Sequence, residues 1–220
     1  MRDQKEILSY SKVSQHSECP YKFYIYNITK EVKDTGNKFT VEGEIWHKEL
    51  ELYVLRGQLL NQAIHAKPMA DYLRSLPGKN YCEIKMGIND AGEYVQDFFS
   101  GENFFRGILD FVNINGEDAM VVDWKVGKRK LSKFQLLLFA VFVFARWPQV
   151  NKVKSAFFWA KTHEIDPMTF VRSQLPQMME LIRGKTSAIQ HDFESNIWAA
   201  TPSEQKCNWC GARDLCQDRI

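Results

Sequence analysis

The sequence predicts a single α/β or α+β domain with helical ends, on three observations. Four stretches between residues 81 and 126 are rich in aromatic and β-branched residues and are separated by turn residues. A twelve-residue apolar run, Phe134 to Ala145, is interrupted only by Gln135 and reads as a helix buried on most sides. Both ends carry helix punctuation instead of strand alternation.

The elements follow in order. Ser9-Tyr10-Ser11 reads as a helix start with Ser11 as N-cap. That helix carries Val13, continues through Cys19-Pro20-Tyr21 and ends in the aromatic run Phe23 to Tyr26. A polar turn over 33–38 precedes a second helix at about 39–56, in which Val41, Ile45, Leu52 and Leu55 share an inward side. Gly43 and His47, four apart, share a face of it. A third helix covers 68–76 and is closed by Pro77-Gly78. Strands are expected at 81–89, 94–100, 104–114 and 119–126, then the buried helix at 132–146 and a strand at 154–161. Asp166-Pro167 reads as the N-cap and first turn of further helix, which Pro176 breaks or kinks. The expected organisation is one domain, 1–220, with a helical part at 1–56, a sheet and helix at 81–161 and a helical C-terminal part at 166–220.

Composition excludes several classes. The chain has 220 residues, 45% hydrophobic and 25% charged, with a net charge of +2, an ordinary globular balance. The apolar run is too short to cross a bilayer, which takes roughly 20 residues, and no apolar signal core follows Met1, so a cytoplasmic protein with no membrane role is expected. The stretch from Lys125 to Lys133 holds Lys125, Lys128, Arg129, Lys130 and Lys133 and no acid. It could face phosphates or be a solvated loop between strand and helix.

The candidate chemistry lies in Asp110 and Asp123-Trp124-Lys125. A hairpin closed at Asn115-Gly116 as a two-residue turn makes facing residues sum to 231. A four-residue loop at 115–118 makes them sum to 233 and sets Asp110 directly opposite Asp123. Either even loop brings the carboxylates to one face, with Lys125 two residues further along it. Two carboxylates can hold Mg²⁺ or Mn²⁺, and a lysine beside them can orient water or meet charge on a phosphate. An exposed strand face with ordinary salt bridges is the plainer alternative. His47 is a candidate third ligand as a neutral imidazole, and Glu83 is a weaker candidate for assisting a second metal. Trp124 alternates with its charged neighbours and is expected in the core.

Cysteine usage is the remaining signal. Cys19 stands near the start, and Cys207, Cys210 and Cys216 close the chain. An odd total of five argues against a disulfide framework and for metal ligation. Ligand chemistry alone fits a four-thiolate Zn²⁺ site slightly better than an iron–sulfur cluster. Either would tie together chain segments separated by 187 residues. Cys82, in a strand, reads as a buried apolar residue, and Trp198 and Trp209 read as core.

Taken together, these residues resemble the PD-(D/E)XK nuclease superfamily in its RecB-like iron–sulfur branch, of the CRISPR-associated adaptation exonuclease and AddB nuclease-domain type. The residues that carry the resemblance appear in the family's order. They are Ser9 through Phe23 with the first cysteine, Gly43 to His47, Gly107 to Asp110, Val121 to Gly127, Gln135 to Phe139, and the closing cysteines. Phe139 stands where the family has tyrosine, and the second acid is Asp, which this branch allows. The resemblance implies a restriction-endonuclease-like mixed central sheet flanked by helices, with the terminal segments joined at a metal cluster. It implies metal-dependent hydrolysis of DNA, often as an exonuclease on single strands. His47, Asp110 and Asp123 would hold Mg²⁺ or Mn²⁺, with Asp110, Asp123 and Lys125 catalytic. Gln135, Lys128, Arg129 and Lys130 would meet substrate. It turns the choice at Cys19, Cys207, Cys210 and Cys216 toward [4Fe-4S]. DNA with free ends is the expected partner, with proteins of a recombination or CRISPR complex as further candidates. The rival reading is a non-catalytic DNA-binding module of such an assembly.

Overall fold

The computed structural model describes residues 6–33 and 38–220, so the expected polar turn at 33–38 falls mostly outside the described residues. The chain divides into two compact units. One comprises residues 1–7 and 36–179, the other 8–35 and 180–220.

The first unit is built on a six-stranded sheet of order β2-β1-β3-β4-β5-β6. Its strands are β1 Lys79–Ile88, β2 Tyr94–Val95, β3 Phe105–Asn115, β4 Asp118–Lys125, β5 Lys152–Trp159 and β6 Glu164–Val171. All neighbours are antiparallel except β4 and β5. A parallel pair needs a crossover, and α5 (Lys133–Arg146) supplies it. That connection explains the long apolar run: every residue from Leu136 to Phe144 is buried. Helices α3 (Lys38–Arg56) and α4 (Lys67–Ser75) contribute to a core that joins Trp46, Leu50, Tyr53 and Leu73 to Phe111, Val122, Trp124 and Phe158 of the sheet. Trp124 is therefore a core residue, as alternation along β4 requires.

Three expectations for this unit are corrected. The inward side of α3 carries Trp46, Leu50, Tyr53 and Val54, whereas Val41 and Leu55 are exposed. The helix is rotated because the bulky indole and phenol bury more area than the aliphatic set. The strand expected over 94–100 is only two residues long. Beyond Val95 the chain turns, with Asp97 Oδ1 accepting from Phe99 N–H at 2.9 Å and Asn103 closing the loop. Asp166-Pro167 lies in β6, not in a helix start. An edge strand tolerates proline, and the Asp166 carboxylate is taken up by Trp159 Nε1–H and Arg129 and is unavailable as a cap. Helix α6 (Leu175–Ser195) begins later, and Pro176 sits in its first turn, where proline is at home and breaks nothing.

The second unit contains α1 (Tyr10–Glu18), α2 (Pro20–Phe23), a π-helical turn over Tyr24–Ile28, most of α6, and α7 (Glu204–Cys207). The N-cap of α1 is Ser9, two residues ahead of the expected Ser11. Its hydroxyl accepts from Lys12 N–H at 3.3 Å. The expected continuous helix is broken at Cys19, whose extended backbone (φ −164°) precedes Pro20. Phe23, Tyr24, Phe193 and Trp198 form the aromatic centre of this unit, with Trp198 stacked on Phe23 at 5.6 Å and on Tyr24 at 5.4 Å. Trp209, expected in a core, is 89% exposed. No helix among the described residues is long and apolar enough to cross a membrane.

Candidate metal centre

The register of the central strands builds the site. Facing residues of β3 and β4 sum to 233, from Asn115↔Asp118 to Phe111↔Val122, with Gly116 and Glu117 between them. This is the register that sets Asp110 opposite Asp123. The ladder stops one pair short of them, and the Trp124 N–H donates to Asp110 Oδ2 at 2.8 Å. This backbone bond satisfies the buried Asp110 carboxyl and fixes its side chain.

The β1–β3 register places Glu83 opposite Asp110, because Cys82 pairs Phe111 and Ile84 pairs Leu109. Glu83 itself is skipped by the ladder and has φ +49°. A non-glycine residue in the left-handed region costs free energy, and such conformations cluster at functional sites. Both neighbours of Asp110 thus leave regular pairing at the same level of the sheet.

His47 enters from α3. Its Nε2 lies 3.0 Å from the Trp124 carbonyl and must donate to it. Its Nδ1 lies 3.4 Å from Asp110 Oδ2 and 3.8 Å from Glu83 Oε1. Ligand atoms of His47, Glu83 and Asp110 all lie within 4.8 Å of one another, and no other group of three or more such residues among the described ones does so. Burial alone would lower the His47 pKa, but the hydrogen bonds of Asp110 and Glu83, with the charges of Asp110 and Asp123, outweigh it and raise the value to about 10. A proton is thus held among the carboxylates.

These residues fit a hard divalent cation. Two carboxylates and an imidazole converge, and the far ring nitrogen is bonded to the Trp124 carbonyl, so Nδ1 faces the acids and could ligate a cation once its proton is displaced. The geometry includes Glu83 in the tight group and sets Asp123 beside it. Asp123 Oδ1 accepts from Gln135 Nε2 at 3.3 Å. The Lys125 ammonium lies 2.6 Å from the buried Asp123 Oδ2 and pairs with it. Burial, and next the Asp110 charge, push the Asp123 carboxyl well above the ordinary carboxylate range, against Lys125 and His47. Such a carboxylate gains from a further positive charge.

The basic stretch divides. Lys128 and Lys130 are exposed. Arg129 is engaged with Asp166 (2.9 Å from Nε) and Glu164 (2.9 Å from Nη1). Gln135 reaches the acids because Ser132 caps α5 and starts that helix beside Asp123. Phe139 is buried within α5. Glu83 is the residue the sequence underweighted. Its signal lies in the β1–β3 register, which no short turn fixes.

The cysteines separate from this site. Burial, and then the charges of Glu51, Glu83 and Asp110, raise the Cys82 thiol to about 12, and the side chain packs against the α3–sheet core. It is an apolar residue in practice. Cys19, Cys207, Cys210 and Cys216 all belong to the second unit, and all are free thiols. They do not meet the close spacing of the His47 group. Their segments are nevertheless adjoined: Thr201 N–H lies 3.5 Å from Cys19 Sγ, Lys206 Nζ donates to Glu18 O at 2.9 Å, and Tyr21 Oη donates to Leu215 O at 2.9 Å.

The model of the PD-(D/E)XK nuclease superfamily matches residues 70–217, a span from α4 through the sheet to the last cysteine. Among solved structures, one from Eubacterium rectale named "Putative exonuclease" is similar over 98% of this chain and 89% of its own, at 12% identity and a TM-score of 0.56. The structure of SSO0001 is similar over 100% of this chain and 90% of its own, at 13% identity and a TM-score of 0.51. At these identities the likeness is one of fold. No curated protein matches the sequence. With the family model covering the sheet that carries Glu83, Asp110, Asp123 and Lys125, the chain belongs to the PD-(D/E)XK nuclease superfamily.

Proposed function

We propose that this nuclease is a Mg²⁺- or Mn²⁺-dependent deoxyribonuclease that works on free, single-stranded ends, with a [4Fe-4S] cluster held by Cys19, Cys207, Cys210 and Cys216. The observation that carries the reading is the convergence of His47, Glu83 and Asp110 beside the Asp123–Lys125 pair.

His47, Asp110 and Asp123 would hold the cation, with Glu83 completing or sharing the site. When bound, such a cation polarises a phosphodiester and makes nearby water more acidic. Asp110 is held rigid by the Trp124 N–H, and His47 by the Trp124 carbonyl. One residue's backbone thus fixes both side chains, so the donors are organised before substrate arrives. Lys125 lies at the mouth of the pair with its side chain 29% exposed. Its ammonium would orient water or meet negative charge growing on the phosphate. Gln135 would position the scissile strand, and Lys128 and Lys130 would attract phosphates. Arg129, already paired, would contribute less.

The cluster rests on four free thiols in one compact unit, on adjoining segments. Its role would be structural, with Zn²⁺ as the alternative occupant. Work on a recombination, repair or CRISPR substrate would follow from a preference for free ends.

The test is incubation of the purified protein with end-labelled single- and double-stranded DNA, with Mn²⁺ or with EDTA. Mn²⁺-dependent shortening of the single strand from its end is expected. Binding without cleavage under all metal conditions would overturn the enzymatic reading in favour of a DNA-binding module. The spectrum of anaerobically purified protein tests the cysteines. A brown, iron-containing sample is expected, and a colourless zinc-loaded one would contradict it.

A further inference from the structure

Beside the candidate metal centre, the sheet carries a cationic and aromatic shelf that metal ligation does not use. On β3, a Cβ at Gly107 would lie 3.1 Å from the Phe142 ring of α5. Gly107 therefore faces α5, and its strand neighbours Arg106 and Ile108 face away from it. Lys85 pairs with Ile108, and Gly87 with Arg106, so they share that outer face. Ile108 is 43% exposed there. Lys85 and Ile108 are each two residues from the acids Glu83 and Asp110. At the strand rise this puts the shelf about 7 Å along the sheet from them.

The shelf is roofed by two phenylalanines. The Phe98 and Phe99 rings meet edge to face at 5.3 Å. The Arg106 guanidinium lies 4.9 Å from the Phe98 centroid and 5.6 Å from Phe99. Lys85 Nζ lies 5.6 and 5.5 Å from the same rings. Neither cation has a salt-bridge partner among the described residues. Phe99 is 69% exposed, which is costly for a ring of that size unless something covers it.

The loop that presents these rings is held in place. Asn103, buried at 1% exposure, donates through Nδ2 toward the carbonyls of Asp97 (2.9 Å), Ser100 (3.0 Å) and Phe98 (3.2 Å). Arg106 Nη1 donates to the Phe98 carbonyl at 3.2 Å. Asn103 Oδ1 packs onto Gly87 so closely that any Cβ there would overlap it. A glycine in the strand and an asparagine in the loop thus fit one another, and their joint product is an exposed ring in a fixed position.

We propose that this shelf is a subsite for single-stranded DNA, with a base stacking on the open face of Phe99 and flanking phosphates meeting Lys85 and Arg106. An exposed ring beside cations that have no salt-bridge partner among the described residues suits an unpaired base and its backbone. A duplex keeps its bases stacked internally and could use only the cations. Closeness along the strands to Glu83 and Asp110 would put a bound strand within reach of the metal centre. The inference rests on the nuclease reading for its direction, but its test does not.

The test measures binding of fluorescent dT12 to the full chain by anisotropy in EDTA, where cleavage plays no part. Phe99→Ala is expected to weaken binding by 5-fold or more, within the range of base–aromatic stacking. Phe99→Trp should restore it, and Phe99→Leu, which keeps apolar bulk, should not. Lys85→Ala should lower the slope of log affinity against log salt by about one. Affinity for a 12-base-pair duplex should be unchanged in Phe99→Ala. Undiminished dT12 binding by Phe99→Ala, equal losses for duplex and single strand, or no dT12 binding by the parent chain would each overturn the proposal. If Asp110→Ala abolishes cleavage while Phe99→Ala binds normally, the shelf fails and the nuclease reading stands. If the parent chain cuts nothing but binds dT12 through Phe99, the reverse holds.

Discussion

The two compact units place chemically capable residues in opposite ways. In the sheet unit, Asp110, Asp123 and Glu83 sit on strands, and His47 sits on a nineteen-residue helix. Their positions follow from backbone register and from a core that surrounds Trp124. In the other unit the cysteines sit on short pieces. Cys207 ends a four-residue helix, and Cys216 follows a three-residue 3-10 turn. Cys19 sits at a break between two helices. Scaffolding makes the first site independent of its ligand. The second has little regular structure of its own beyond the aromatic packing around Trp198, so a ligated metal would add more to its stability.

The largest effects separate the two. Asp123→Ala and Lys125→Ala should each lower DNA cleavage by at least about 100-fold, with the visible spectrum of the cysteine unit unchanged. Loss of that spectrum in either variant would show that the units do not behave independently. Conversely, if the cysteines hold the proposed metal, Cys207→Ser or Cys216→Ser should remove it and lower the unfolding temperature by several degrees, read by metal analysis and calorimetry. An unaltered melting profile would remove the structural role.

A pH series sharpens the contrast on the sheet side. Asp123 has a raised folded pKa, so the folded state holds its proton more tightly than the unfolded one. Its contribution to stability is therefore lost as pH rises from the ordinary carboxylate range toward neutrality. His47 is raised from 6.5 to about 10; its contribution is fully present below about 6.5 and lost as pH rises through about 10. Without metal, the unfolding temperature should fall over both windows. Mn²⁺ should reduce the fall, and its affinity should strengthen with pH as it displaces the His47 proton. Asp123→Asn should flatten the acidic window, and a profile identical to the parent would contradict the assignment.

Much of this was legible in the sequence because it depends on short-range rules. An even loop near Asn115-Gly116 puts Asp110 and Asp123 on one face, with sums of 231 and 233 both open, and the structure has 233; alternation then places Trp124 inward. The nine buried residues of α5 follow from an uninterrupted apolar run. What was not legible depends on distant partners. Glu83 joins the site through β1–β3 pairing across the irregular 89–104 segment. Asp166 is a strand residue because Arg129 and Trp159 claim its carboxylate. The rotation of α3 onto Trp46 and Tyr53 is decided by packing, not by its own periodicity.

Smaller effects come from residues at the edge of the site. Glu83→Gln should weaken Mn²⁺ binding by about 10-fold, measured by calorimetry, with less loss of cleavage than Asp123→Ala. Arg129→Ala should alter DNA affinity less than Lys128→Ala or Lys130→Ala, because its guanidinium is engaged with Asp166 and Glu164. A salt titration of DNA binding reads the difference. Equal effects at all three positions would mean that the ion pair opens when DNA arrives.

The most direct measurement is a time course of end-labelled single-stranded DNA with the parent chain and Asp110→Ala, each in Mn²⁺. The account predicts progressive shortening by the parent and an intact strand with the variant, both proteins retaining the same unfolding profile in EDTA. Cleavage by Asp110→Ala at the parent's rate would contradict it.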